Sequence, residues 1–183
     1  MNREDGDPLT RAVAALSFRA LDLDKVSAVM REGLRQEPVP AAGVSIQGKQ
    51  AVSQVRRLEA STGSDEAAAF FIAIYRYNVG LRVVEQAPNG AGTTDEVGEL
   101  LHIEASFDVE YEEKVRLDEE ALNAFGHKNV AYHVWPYWRE LVSSTVGRMR
   151  FPHSVVVPHY VLTPRPGNAD PAPLPNATER GPT

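Results

Sequence analysis

The stretch Trp135-Pro136-Tyr137-Trp138-Arg139-Glu140 opens the one long helical pattern in this chain of 183 residues. A proline has no N–H to donate and its ring clashes with the preceding turn, so it is best tolerated where a helix begins. We therefore expect the proline to mark the start of the helix. The pattern runs to Gly147-Arg148-Met149-Arg150, and Phe151-Pro152 follows at once, with Pro158 six residues later.

Two apolar stripes run along this helical pattern. One comprises Val130, Val134, Tyr137, Leu141 and Val146, and the other comprises Trp135, Trp138, Val142 and Met149. A helix with two apolar stripes is covered on two sides. Because the chain has only one long helix, the simplest second cover is another copy of the chain. We predict a homo-oligomer whose interface contains Trp138, Leu141, Val142 and Met149.

Alternation of apolar and polar residues predicts four strands. They lie after a short helix between Leu9 and Glu32, through Val44, Ile46 and Val52, from Ala67 to about Glu85, and from Leu101 to Glu112. In the first strand the apolar residues move from odd to even positions after Leu23, which predicts a bulge or a twist that swaps the two faces. Clean alternation belongs to an antiparallel sheet with one covered side. The predicted fold is α+β, a four-stranded antiparallel sheet with one long helix packed on it.

Composition bounds the organisation and the setting of the protein. The length suits one domain, which we place at residues 1–163, followed by a proline-rich tail at residues 164–183 that is expected to be disordered. The chain has no cysteine, as expected in a reducing cytoplasm. No apolar stretch approaches the roughly 20 residues that span a bilayer. The net charge is −6 and no basic stripe is present, so nucleic acid is not an expected partner.

The titratable residues give no sign of catalysis or of a metal. None of the five histidines is separated from another histidine or from an acid by the spacing that metal-binding motifs require. The acids Glu104, Asp108 and Glu110 share one strand face, whereas general acid–base catalysis needs two acids in different environments. No glycine-rich loop has phosphate-binding or dinucleotide-binding spacing. We predict no enzyme activity, no metal and no cofactor.

The residues around the long helix closely resemble those of SecB, the bacterial export chaperone. The positions that carry the resemblance are Pro136, Tyr137, Arg139, Glu140, Val146, Arg148, Phe151, Pro152 and Pro158. The resemblance implies long helices sandwiched between the sheets of a dimer of dimers. It also implies that clients lie in outer grooves and are held without ATP. Glu104 stands where the family has an acid implicated in docking SecA.

Two departures from the SecB pattern point to a dedicated client. The family usually continues after the second proline into a helix that covers the client groove, whereas residues 164–183 here cannot form one. In the first strand the further acids of the family's SecA-docking patch have no counterpart, and the basic residues Lys25 and Arg31 are nearby instead. The overall plan is similar to the SecB-like chaperones that actinobacteria pair with toxin–antitoxin systems, in which the chaperone holds an aggregation-prone antitoxin.

The leading functional hypothesis is a cytoplasmic, ATP-independent holdase that binds unfolded or partly folded polypeptides. We expect its client groove to be bounded by Val44, Ile46, Leu101, Trp135, Tyr137 and Phe151. Two alternatives stay open at this point. One is an α+β domain whose aromatic cavity takes a small apolar ligand, and the other is a non-catalytic adaptor that uses the acidic strand face and the proline tail.

Overall fold

Seven elements make up the part of the chain that the computed structural model describes, namely residues 6–34, 43–61, 69–86 and 98–160. In chain order they are α1 (Pro8–Ala15), β1 (Leu16–Met30), β2 (Val44–Ser61), β3 (Ala69–Glu85), β4 (Glu99–Glu113), α2 (Glu119–Lys128) and α3 (Val130–Met149). The predicted α+β fold with a four-stranded antiparallel sheet and one long helix is confirmed. The predicted tail, residues 164–183, lies outside the described residues.

The sheet has the order β1-β4-β3-β2, and every neighbouring pair is antiparallel. One face is covered by helices and the other is open, as the alternation in β4 predicts. Tyr75 of β3 and Tyr111 of β4 point to the covered face, where both rings contact Phe125 of α2. The Tyr75 hydroxyl donates a hydrogen bond to the Leu122 carbonyl at 3.0 Å. This aromatic cluster joins the sheet to α2.

Two register shifts keep the apolar side of β1 on the covered face. They lie between Phe18 and Ala20 and between Leu23 and Lys25. After each shift the parity of the inward positions changes, so that Leu23 pairs with Phe107 and Val26 with Ala105. The bulge that the sequence predicts after Leu23 is confirmed.

Two predicted helix boundaries are wrong. The long helix begins at Val130, so Pro136 lies inside α3 and does not open it. The apolar periodicity through Val130 and Val134 outweighs the loss of one backbone hydrogen bond, because both side chains are fully buried. The sequence also predicts a short helix that begins at Leu117 and ends at Gly126. The observed α2 continues past Gly126 to Lys128, because Gly126 is buried within the helix and does not cap it.

The long helix is covered on one side by the sheet and on another by its own chain. The sheet-facing residues are Val130, Ala131, Val134, Trp138 and Val142. After α3 the chain reverses at Arg150, in the left-handed region at φ 52°, and residues 151–160, here called the strap, run back beside the helix. The strap touches α3 at Trp135 and Arg139. Part of the second cover that the two stripes require is therefore intramolecular.

Candidate functional site

An uncovered apolar surface lies where β1 meets α3. Phe18, Leu23 and Val26 point to the covered face of the sheet, yet 45 to 47 % of each is exposed. Tyr132 and Tyr137 of α3 are also exposed. We call these five residues the edge surface. Contiguous exposed apolar side chains of this kind mark interaction sites.

A histidine joins the edge surface to the core. The His133 ring stacks on Phe18 with ring centroids 5.2 Å apart, and its Nδ1 lies 2.9 Å from the Tyr111 hydroxyl. Desolvation by burial lowers the pKa of His133, although a hydrogen bond involving Asn129 opposes this. The lowered pKa favours the neutral imidazole at pH 7, and Nδ1 of His133 shares one hydrogen bond with the Tyr111 hydroxyl. The arrangement fixes one turn of α3 against β1 and β4.

The strap is held by two side-chain donors one helical turn apart on α3. The Nε1 of Trp135 donates to the Pro158 carbonyl at 2.7 Å, and the Nε of Arg139 donates to the Val157 carbonyl at 3.0 Å. A guanidinium nitrogen of Arg139 also donates to Nδ1 of His159 at 3.0 Å. Both clamped groups are backbone carbonyls, so these two hydrogen bonds do not depend on the side chains of Val157 and Pro158.

Apolar side chains of the strap pack inward beside α3. Val155, Val157 and Tyr160 are partly buried against the core. The Tyr160 ring lies 5.5 Å from that of Trp135. Burial raises the pKa of Tyr77 in β3, and Tyr160 adds to this, so the two phenols are near neighbours. The strap therefore lies over the middle of β3.

Three of the predicted groove residues lie towards one end of the sheet. Ile46 pairs with Val83, and Val83 pairs with Leu101. Ile46 and Leu101 therefore lie in one row across the covered face, with Val83 between them. Val44 begins the same edge strand and is partly buried. Ile46 is exposed, but Leu101 is completely buried. Leu101 therefore supports this surface from below and has no area of its own to offer a ligand.

The remaining predicted groove residues belong to α3 and the strap. Trp135 of α3 lies beside Tyr160 of the strap, with ring centroids 5.5 Å apart. Phe151 is buried at the start of the strap. Tyr137 is exposed and belongs to the edge surface. The described contacts bring Val44, Ile46 and Leu101 to one end of the sheet and place Trp135 beside the strap, and a single groove bounded by all six residues stays a prediction.

The predicted interface residues also divide into two groups. Trp138 and Val142 are buried against the sheet of their own copy, with 2 % and 1 % of their surface exposed, so a second copy would find almost nothing of them to cover. Leu141 and Met149 are only partly buried. The exposed apolar area near α3 is instead the edge surface. The oligomer itself stays a prediction.

The open face of the sheet carries a network of ion pairs. Arg76 makes a bidentate contact with Asp108 at 2.9 and 2.8 Å, and Arg56 donates to the same carboxylate at 3.0 Å. Glu104, predicted as a docking acid, is paired with Lys49 and lies 3.1 Å from His102. Lys49 and His102 lower the pKa of Glu104, so it stays ionised but is already neutralised. This face is of mixed charge and is not an acidic patch.

A shallow concavity of about 540 Å³ crosses the open face. Its floor is a row of small or polar side chains in register, since Lys25 pairs with Ser106, Ser106 with Asn78, and Asn78 with Ala51. Gly80 lies in the next row, and a Cβ there would come within 3.0 Å of Lys49 and 3.1 Å of Glu104. A polar lining of this kind does not suit the small apolar ligand that the sequence left as an alternative.

Two general findings apply to the part of the chain that is described. No three histidine, cysteine, aspartate or glutamate residues within residues 6–34, 43–61, 69–86 and 98–160 are grouped so that they could hold a metal ion. Within the same ranges, no helix has the length and apolar character needed to cross a membrane.

Sequence reasoning missed the anchoring role of Arg139 and the intramolecular cover of α3. The available signal was the spacing of Trp135 and Arg139, which places their side chains on one helix face. The apolar residues Phe151, Val155, Val156 and Val157 beside Pro152 and Pro158 were a second signal, because proline favours extended backbone. Together they point to an extended segment lying against that face.

No protein-family model matches the sequence, and a search of curated proteins gives no match either. Among solved structures, the chain is similar to the SecB-like chaperone Rv1957 of Mycobacterium tuberculosis, solved in complex with a ChAD peptide from the Rv1956 HigA1 antitoxin. The TM-score is 0.61 at 18% sequence identity, and the match covers 84% of this chain and 96% of that chain. At this identity the likeness concerns the fold, and we conclude that the chain has the fold of that SecB-like chaperone.

Proposed function

We propose that this protein is a SecB-like chaperone of the cytoplasm that binds unfolded or partly folded polypeptides without ATP, with an antitoxin as one client. The observation that carries the proposal is the fold shared with Rv1957, a chaperone solved with an antitoxin peptide. The exposed apolar surfaces beside α3 support it, because they suit segments that a folded protein would bury.

Holding a client requires only mass action. A protein that binds the unfolded state lowers the free concentration of that state, and no covalent step is involved. Apolar contacts of about 1 to 2 kcal/mol each, made at several separate places, add up to useful affinity after ordering costs are subtracted. Apolar areas lie at Val44 and Ile46 of β2, at the edge surface and at the strap. Such separate areas suit a long, extended client better than a small molecule.

Assembly into a dimer of dimers completes the proposal. The edge surface lies on the outermost strand β1, which pairs only with β4 among the described strands. An unpaired strand edge beside exposed apolar side chains is a favourable surface for another copy. In the assembly, apolar areas that one copy leaves separate can be brought closer to those of its neighbours.

Dedicated service to an antitoxin is favoured over delivery to SecA. A basic docking partner is attracted by unpaired acids, whereas Glu104 is already paired with Lys49. Asp108 is likewise bound by two arginines. The open face therefore offers less attraction to a basic partner than its acid content suggests.

The test is suppression of aggregation in nucleotide-free buffer. A chemically denatured client is diluted into buffer with and without the protein, and light scattering is followed. We expect scattering to fall by at least half at one tetramer per client, while serum albumin at equal mass has no such effect. No suppression at that ratio would overturn the proposal. Saturable binding of a small apolar molecule, or of one folded partner alone, would then favour the ligand-binding or adaptor alternative.

A further inference from the structure

The strap has the geometry of an extended chain bound in a groove, without the backbone ladder of a strand. Phe151, His153, Val155 and Val157 are buried or half-buried, whereas the residues between them are exposed, which is the period of two of an extended chain. Yet no N–H from residue 152 to residue 160 donates to a backbone carbonyl of the described residues. The strap is thus held by its side chains and by the two donors of α3.

The donors that hold the strap do not depend on its sequence. Trp135 and Arg139 bind the carbonyls of Pro158 and Val157, groups that every residue carries. Main-chain hydrogen bonds of this kind supply affinity for extended peptides, and the pockets for alternate side chains supply selectivity. A segment with apolar residues at alternate positions that adopts the backbone conformation of residues 157–158 can make the same contacts.

Little in the described structure commits the strap to stay in place. A segment with no backbone ladder and half-buried contacts belongs to the part of a protein that opens most readily. Val156 is 68 % exposed, and the prolines at positions 152 and 158 leave no N–H that would need a new partner on release. Displacement therefore breaks few hydrogen bonds, and an incoming chain can replace those made to α3.

We propose that the strap is an internal occupant of a client-binding site on α3, and that an extended apolar segment of a client binds there by displacing it. The inference rests on the proposed function. It adds where on α3 a client segment binds and that the segment competes with the strap for this site. Arg139 also donates to His159, two residues after the Val157 carbonyl that it clamps. The preferred client segment therefore has apolar residues at alternate positions and an acceptor such as Glu two residues after the clamped carbonyl.

The competition lowers the apparent affinity of the site. A tethered segment acts at a high effective concentration, so a free peptide sees only the fraction of molecules whose site is open. Weakening the strap should therefore strengthen client binding. If the strap were instead a fixed wall that clients contact from outside, weakening it would leave binding unchanged or reduce it, and charging its outer side would reduce binding.

Two adjacent valines provide a matched test. Val157→Asp places a charge on the inward side of the strap, and Val156→Asp places the same charge on its outward side. The probe is a fluorescein-labelled peptide of the sequence of residues 151–160 with terminal lysines for solubility, followed by anisotropy. We expect Val157→Asp to bind it at least fivefold more tightly than the natural chain and Val156→Asp to bind within twofold of it. Unchanged or weaker binding by Val157→Asp, or weaker binding by Val156→Asp, would overturn the inference.

A reversible tether gives a second measurement that does not depend on the core tolerating a charge. The chain has no cysteine, so Ser143→Cys and Ser154→Cys, both at exposed positions, can be joined by a reductant-cleavable bis-maleimide. We expect the tether to weaken peptide binding at least tenfold and cleavage to restore it in the same sample. Equal binding before and after cleavage would contradict displacement.

An unfolded, carboxymethylated protein serves as the parallel probe, since it contains no thiol for the reductant to change. If the natural chain binds neither probe, the proposed function and this inference both fail. If it binds the unfolded protein equally well with the strap tethered and free, only this inference fails. A peptide with Glu at the position of His159 should bind at least threefold more tightly than the natural sequence, and weaker binding would contradict the predicted acceptor.

Discussion

Glu113 is the charged side chain that lies in the interior of the described residues, and its partners decide whether the end of β4 is stable. It accepts hydrogen bonds from Nε and Nη2 of Arg57 at 2.6 and 3.0 Å and from the Leu117 N–H at 3.1 Å. A buried carboxylate without its counter-ion is strongly destabilising. Arg57→Met should therefore lower the free energy of unfolding in urea by about 3 to 5 kcal/mol at pH 7.

The double variant Arg57→Met/Glu113→Leu is the control for that loss. Because it removes both charges and fills the space with apolar atoms, it should lose much less than the single variant. A single variant within about 1 kcal/mol of the natural chain would show that Glu113 is reached by solvent and would contradict this reading of its burial.

Asp118 links two helices at the surface. Its carboxylate accepts from the Ala121 N–H as the N-cap of α2 and pairs with Arg11 of α1 at 2.7 Å. The Arg11 hydrogen bond, and then the backbone one, lower the pKa of Asp118. Asp118→Ala should cost about 1 kcal/mol at pH 7, and Asp118→Asn, which keeps the cap oxygen, should cost less.

The pH dependence of the Asp118 effect has a definite sign. A carboxylate whose pKa is lower in the folded state stabilises the protein above its unfolded value of about 4, and this stabilisation disappears as pH falls through the lower folded value. The difference between the natural chain and Asp118→Ala in urea unfolding should therefore be constant from pH 7 to 5 and shrink below pH 4. A difference that grows on acidification would contradict the assignment.

At the scale of elements, Pro136 is the residue that local rules place wrongly. It lies at the seventh position of α3 and is exposed, so its ring removes a hydrogen bond to Tyr132 while packing against little. Pro136→Ala should raise the free energy of unfolding by about 1 to 2 kcal/mol. The restored hydrogen bond outweighs the entropy that alanine returns to the unfolded chain. Urea unfolding is the measurement, and a loss of stability would indicate a packing role for the ring.

The contrast between strands and helices explains which elements the sequence predicts well. The strands were predictable because the sheet is covered on one side, so alternation in β4 and the parity change in β1 report directly on burial. The helix ends were not, because Pro136 and Gly126 are local signals that buried neighbours override. The sequence predicted that α3 is covered on two sides. It did not show that the same chain supplies part of the second cover, because periodicity does not identify the covering segment.

At the scale of the whole molecule, the edge surface predicts association. Val26→Asp places a charge within it, whereas Val156→Asp places the same charge at a more exposed valine of the strap. Light scattering at micromolar concentration should show an oligomer for the natural chain and for Val156→Asp. A charge buried at an interface without a partner is costly, so Val26→Asp should shift dissociation to at least tenfold higher concentration. A monomeric natural chain would contradict the proposed assembly.

The candidate site was predictable only in part. The strand and helix patterns were enough to place Ile46, Trp135 and Tyr137 on apolar faces of their elements. The complete burial of Leu101 and Trp138 could not, because a covered face alone does not show which residues lie at its centre. The neutralisation of Glu104 depends on Lys49 and the absence of a side chain at Gly80, in strands far apart in sequence. Such cross-strand pairs can be identified only when the register of the strands is known.

The most direct measurement is calorimetric titration of the protein, in nucleotide-free buffer, with one client in two states. The client is a reduced, carboxymethylated protein that stays unfolded, and the comparison is the same protein in its native, disulfide-bonded form. We predict micromolar or tighter binding of the unfolded form with a negative heat-capacity change, since apolar surface is buried, and at least fiftyfold weaker binding of the native form. Equal affinity for both forms, or no binding of the unfolded form, would contradict the account.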